Sequence, residues 1–342
     1  MSALPTVNLR LTALVALLLT SLGANAGDLL AQATDYMAVA DGVDETTRAF
    51  HYDPAELETA QYQQVMATIR ALAETVETDD AFVEGFREIW RDQGPFSHMS
   101  LSQARGTSEE QAAFFDTFRT GGGGAVLSWD GRVAILTVNT MMGLDTIEEI
   151  DTAYAVIAEL GAEKLIIDLR ENGGGAFAIR PLVGHLMNER YDAGAFVAQR
   201  WNAQHRGQAP TLQDIMTVAP WEGWSVRAFW DDVQREPFIR VSFSPIAPVF
   251  DGPVYVLTSE RTASASEIAT EALQSSGRAV IIGERTAGEM LSQKVYDIPG
   301  GFHFFLPVAD YFSVTGDRIE GFGIVPDIAV DAEDALNIAL QQ

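Results

Sequence analysis

A serine placed where a strand turns into a helix presents its hydroxyl beside backbone N–H groups that no helical turn has used. That is the setting an acyl-transfer nucleophile requires. The stretch from Val254 to Gly288 reads this way. Val254–Leu257 is an apolar run that ends at Thr258 and Ser259, and a helix begins within Thr262-Ala263-Ser264-Ala265-Ser266-Glu267. It runs through Ile268, Ala272 and Leu273 to Gly277, and Ala279–Ile282 form the next strand, ended by Gly283. Ser264 is the candidate nucleophile. The same letters also spell a capping box, Ser264-x-x-Glu267, in which the serine would only satisfy helix N–H groups. Taken alone, the stretch leaves both roles open.

A second stretch could supply the electrophile's partners. Leu165–Leu169 reads as a buried strand, and Asn172-Gly173-Gly174-Gly175 follows it as a tight turn. The spacing is neither G-x-x-x-x-G-K-[ST] nor G-x-G-x-x-G, which argues against nucleotide binding. Histidine is the natural proton acceptor near neutral pH, and the chain offers His51, His98, His185, His205 and His303. Of these, His98 follows Ser97 in an irregular segment, Phe96–Leu101. There is no H-E-x-x-H and no carboxylate cluster at ligand spacing, so neither metal nor cofactor is expected. The absence of cysteine excludes thiol catalysis, a disulfide scaffold and a lipoprotein anchor.

The elements that must position these residues fall into two textures. Residues 1–26 carry Arg10, an apolar run from Leu11 to Leu22 and Ala24-Asn25-Ala26, the layout of a cleaved signal peptide. Export to a bacterial periplasm or beyond is therefore expected, with no stable membrane span once the leader is removed. Residues 27–120 read as a small helical domain that carries His98, and Gly121–Gly124 read as a hinge. Residues 121–342 read as a layered α/β domain. A hairpin at Val126–Val138, a helix at Ile147–Leu160 and a repeated strand–glycine turn–helix unit support that reading. Tyr191–Phe250 is rich in tryptophan (Trp201, Trp221, Trp224, Trp230) and reads as an irregular insertion or lid. The 342 residues, 47% of them hydrophobic, suffice for such a pair of domains. A formal charge of −26 argues against nucleic acid and anionic lipid as partners.

Thr262-Ala-Ser-Ala-Ser-Glu267 followed by Gly283-Glu284-x-Thr286-x-Gly288 resembles the active-site segment of the C-terminal processing (tail-specific) serine peptidases. The resemblance covers about Phe96 to Val330 and implies a layered core of the ClpP/crotonase type with mixed sheets. It places the nucleophile on Ser264, with Thr262 and Ser266 in support. The Asp168-Leu169-Arg170-x-Asn172-x-Gly174-Gly175 turn resembles that family's oxyanion turn. It implies N–H donors at Ala265 and Gly174, with Gly173 and Gly175 as alternatives in the same turn. Most of these peptidases carry a lysine base after Gly-Glu-x-Thr-x-Gly, where this chain has Glu289. Lys294 and Lys164 fall outside that motif.

The tricorn-core branch uses a histidine preceded by serine and a glutamate just before Gly-x-Gly-[IV]-x-Pro-Asp. Those positions fall on His98, Ser97 and Glu320, the last ahead of Gly321-Phe-Gly-Ile-Val-Pro-Asp327. No room is left for a PDZ domain between His98 and Val126. The implied partner is a peptide or protein substrate, cleaved through an acyl-enzyme. Two other readings stand beside it: a non-catalytic binder of an apolar ligand, resembling the retinoid-binding modules of this fold, and a Ser–Lys peptidase using Lys294.

Overall fold

Three helices open the part of the chain that the computed structural model describes, residues 34–342; the expected leader, 1–26, lies outside the described residues. They are α1 (Tyr36–Phe50), α2 (Ala60–Ala73) and α3 (Asp79–Gln93), each started by a side chain that accepts from a helix N–H: Asp35, Thr59 and Thr78. Strand β1 (Ser100–Gln103) and helix α4 (Ser108–Thr117) follow. The hairpin β2 (Ala125–Asp130) and β3 (Val133–Val138) leads to α5 (Leu144–Leu160) and β4 (Lys164–Asp168). The glycine turn and α6 (Ile179–Gly184) come next.

Tyr191–Phe250 is not irregular. It holds β5 (Tyr191–Ala198), α7 (Gln199–His205), α8 (Leu212–Ile215), α9 (Val226–Arg235) and β6 (Phe238–Phe243). β5 pairs with two neighbours, and its glycine and alanines let other backbone approach closely: a Cβ on Gly194 would lie 2.1 Å from the Phe312 carbonyl oxygen. Small residues buried on both faces erase the alternation by which a strand is read. The tryptophans lie in the helical connection between the two strands, apart from the sheet itself.

The chain finishes with β7 (Val254–Thr258), α10 (Ala265–Ser275), β8 (Val280–Gly283), β9 (Ser292–Ile298), β10 (Phe302–Ser313), β11 (Ile328–Ala329) and α11 (Ala332–Gln341). One sheet runs β11-β8-β7-β4-β3-β2, parallel except for the β2–β3 hairpin. The other runs β1-β10-β5-β6, with β9 also on β10, and is antiparallel. Helix α10 contacts both sheets, touching β8 on one side and β5 and β10 on the other, so the architecture is a layered α/β core with mixed sheets. Ala265, Ala269 and Ala272 give α10 the slim profile this needs, and nine of its eleven residues are buried.

The opening helices are not set apart from this core. Val43, Tyr62, Ile69, Phe82 and Phe86 share one hydrophobic cluster with Phe302, Phe304 and Leu306 of β10. Asp35–Gln342 form a single compact unit. The glycine run is also tied down: Gly121 and Gly122 donate to Asp145, and Gly123 and Ala125 to Glu149, both on α5.

Candidate active site

β7 ends in the middle of the parallel sheet, and the chain must reverse within a few residues to enter α10. Ser264 sits at that reversal with φ 57° and ψ −124°. A non-glycine residue there carries roughly 1–3 kcal/mol of strain, which neighbouring structure must hold in place. Glu267, fully buried, does the holding. Its carboxylate accepts from the Ser264 N–H (2.9 Å), the Thr286 hydroxyl (2.6 Å), the Gly288 N–H (2.8 Å) and the Glu289 N–H (3.1 Å). Burial pushes this carboxyl up, and the same four donors pull it back down. The N–H of Glu267 also reaches the Ser264 carbonyl at 2.8 Å, and the two residues hold each other in the reciprocal manner of a capping box.

The His98 side is assembled from distant pieces. His98 itself has φ 62°, just before β1. Its Nδ1 is bonded to the Ser97 hydroxyl, which donates to Glu320 Oε1 at 2.6 Å. Glu320 is buried, and its second oxygen accepts from the N–H groups of Met290 (2.6 Å) and Leu291 (3.1 Å). Since the Ser97 proton is directed at a carboxylate that only accepts, the Ser97 oxygen must receive from Nδ1–H. In the neutral form of the ring, this tautomer has its lone pair on Nε2. His98 and Ser264 line one cavity of about 400 Å³, and no hydrogen bond joins them.

The glycine turn lies directly under Ser264. A Cβ on Gly174 would fall 2.6 Å from the Ser264 Cβ and 2.8 Å from the Ala263 carbonyl oxygen, and φ at Gly174 is +96°. Only glycine fits. Its N–H donates to Asn172 Oδ1 at 2.9 Å. An asparagine side chain two residues back thus engages, in a local turn, the N–H that the resemblance offers as an oxyanion donor. Gly173 and Gly175 line the cavity, as does Ala265. Asn172 is fully buried and also donates to the Val138 carbonyl at 2.9 Å, so it fixes the whole turn. Sequence reading treated Asn172, Glu267 and Thr286 as motif letters; their structural duty appears only in these bonds.

The lysines lie elsewhere. Lys294 donates to Gln234 Oε1 at 2.9 Å and its ammonium lies 5.4 Å from the Tyr296 ring centre. Lys164 bonds the carbonyls of Ala339 and Leu340 near the far end of the sheet. Neither lines the cavity.

Residues 132–330 match the Peptidase family S41. The chain belongs to that family. Among S41-type relatives, the carboxyl-terminal-processing protease of Picosynechococcus sp. is 30% identical over 186 residues, 54% of this chain and 36% of its own length. The chain thus spans little more than a third of the curated relatives it matches. In fold, it is similar to the photosystem II D1 C-terminal processing protease, at a TM-score of 0.54 and 14% identity, covering 88% of this chain and 94% of that one. The tricorn protease is similar at 0.52 and 13%, covering 89% of this chain and 35% of the other. These likenesses fit the layered α/β architecture of an S41 peptidase core. Among the described residues no helix is long and apolar enough to cross a membrane.

Proposed function

We propose that this S41 chain is a serine peptidase with Ser264 as nucleophile and His98 as general base. The Ser264 oxygen adds to the substrate carbonyl carbon, and its proton passes to His98 Nε2. The same proton then goes to the leaving amine as the C–N bond breaks, and water hydrolyses the resulting ester by the reverse route. Ser97 and Glu320 hold the imidazole with Nδ1 protonated and stabilise the charge it gains. The negative oxygen of the tetrahedral intermediate is held by the Ala265 N–H and by an N–H of Gly175 or Gly173. The observation that carries this reading is the His98–Ser97–Glu320 relay, which converges on the cavity that the strained Ser264 lines.

Export is part of the proposal, with Gly27 as the mature N-terminus after Ala24-Asn25-Ala26. N-terminal sequencing of the exported protein checks it, and a protein beginning at Met1 speaks against it. The activity is tested by incubating the chain with a peptide mixture and identifying products by mass spectrometry. Ser264→Ala is expected to lower the rate at least about a thousandfold while leaving the fold intact. A loss of about 1 kcal/mol in stability with activity retained would identify Ser264 as a cap only.

A further inference from the structure

The cavity beside Ser264 is mostly apolar, walled by Phe177, Phe196, Trp221, Phe229 and Ile239 among others, but two arginines also line it. Arg240 is neutralised, with its guanidinium bonded to Asp192 at 2.8 and 3.0 Å. Arg180 is not. Of its five N–H donors, one reaches a partner, the Trp221 carbonyl oxygen at 3.0 Å, and it takes part in no ion pair. Glu222 acts on it only through space and is itself bonded to Arg190. Burial pushes the Arg180 guanidinium below the usual arginine value. The group is also held rigidly, lying 5.3 Å from the Trp221 ring centre and 4.6 Å from that of Trp224. On a chain of net charge −26, an arginine fixed in an apolar cavity without a carboxylate partner has donors to offer an incoming group.

We propose that Arg180 is a carboxylate-binding subsite of the peptide site, so that substrates present a carboxylate close to the scissile bond, beside an apolar side chain. The carboxylate is either a chain terminus or an acidic side chain. A planar guanidinium pairs with carboxylate oxygens through two parallel N–H bonds, and the flanking aromatic rings shield it in part from water. This rests on the serine-peptidase reading above. It adds to that reading the chemical class of the substrate, which Ser264 and His98 do not determine.

The test is a binding measurement on the Ser264→Ala protein, so that it does not depend on turnover. Quenching or shift of tryptophan fluorescence reports occupancy, since Trp221 and Trp224 flank the guanidinium. The probes are two matched pairs: N-acetyl-phenylalanine against its amide, and N-acetyl-Phe-Glu-amide against N-acetyl-Phe-Gln-amide. In at least one pair the acid is expected to bind about tenfold or more tighter than its neutral partner. The pair that discriminates identifies the source of the carboxylate. Adding Arg180→Met should bring the ratio to about one, Arg180→Lys should keep part of it, and added salt should lower it.

Equal affinity for acid and neutral probes in both pairs, or a preference that survives Arg180→Met, overturns the proposal. Should Arg180→Met fail to fold by circular dichroism, the Arg180→Lys ratio and the salt dependence in the Arg180 protein decide instead. A ratio unmoved by either overturns it. Failure of the peptidase reading would show separately, as absent hydrolysis by the unsubstituted chain.

Discussion

The two halves of the candidate site are built in opposite ways. Ser264 stands on a turn between β7 and α10, and the groups that hold it are near in sequence: Glu267 three residues on, and the Thr286–Glu289 segment just beyond the next strand. His98 depends on a contact between residues 223 positions apart, Ser97 and Glu320, and on helices packed against β10 of the other sheet. The first half is a rigid feature of the parallel sheet. The second is a tertiary assembly, held by hydrophobic packing on β10 and by polar bonds between distant elements. Both Ser264 and His98 have positive φ; short-range bonds secure the first, and the packing of a docked arm the second.

The comparison breaks hardest on the rigid side. Gly174→Ala places a methyl 2.6 Å from the Ser264 Cβ at a φ that disfavours any side chain, so the turn and the serine cannot both keep their positions. Peptide hydrolysis is expected to fall a hundredfold or more, with roughly 1–3 kcal/mol lost in denaturant unfolding. Retained activity would mean that the glycine turn does not define the serine's position. On the docked side, Ser97→Ala should be milder. It removes the link that orders His98 without touching the serine, so hydrolysis should fall about ten- to a hundredfold while unfolding stability changes little. A Ser97→Thr protein, which keeps the hydroxyl, should recover much of the rate; equal losses in both variants would deny Ser97 its positioning role.

A smaller effect sharpens the account of α10 as a helix buried between layers. Glu271 is buried, its Oε2 has no partner, and burial pushes its carboxyl up to about 7. A carboxyl whose pKa is raised on folding is held protonated in the folded state. Its stability cost therefore appears as pH rises from the ordinary carboxylate range through about 7, and is absent at lower pH. Glu271→Gln is expected to raise the melting temperature at pH 8, by the equivalent of about 1–3 kcal/mol, and to change it little at pH 4. The same increment at both pH values would show that Glu271 does not titrate on unfolding.

What was legible in the sequence follows the same division. The β7–Ser264–α10 turn could be read because every part is local: an apolar run, a serine, a helical pattern and a closing glycine. The Ser97–His98–Glu320 set emerged from family resemblance, since no periodicity links positions so far apart. β5 was missed because its Ala and Gly residues hide the strand pattern. The bond from the Gly174 N–H to the Asn172 side chain was not legible. It is a matter of side-chain direction, and letters alone do not carry it. The glycine run at Gly121–Gly124 reads as slack in sequence, yet Asp145 and Glu149 hold it.

The central claim is that a histidine from the docked arm activates the serine of the rigid turn. It is tested most directly by the rate at which a fluorophosphonate probe labels the protein, with the modified residue mapped by mass spectrometry. Labelling is expected at Ser264 in the unsubstituted chain and in Lys294→Ala, and is expected to slow at least a hundredfold in His98→Ala. Labelling of His98→Ala at the unsubstituted rate, or its loss in Lys294→Ala, would contradict the account.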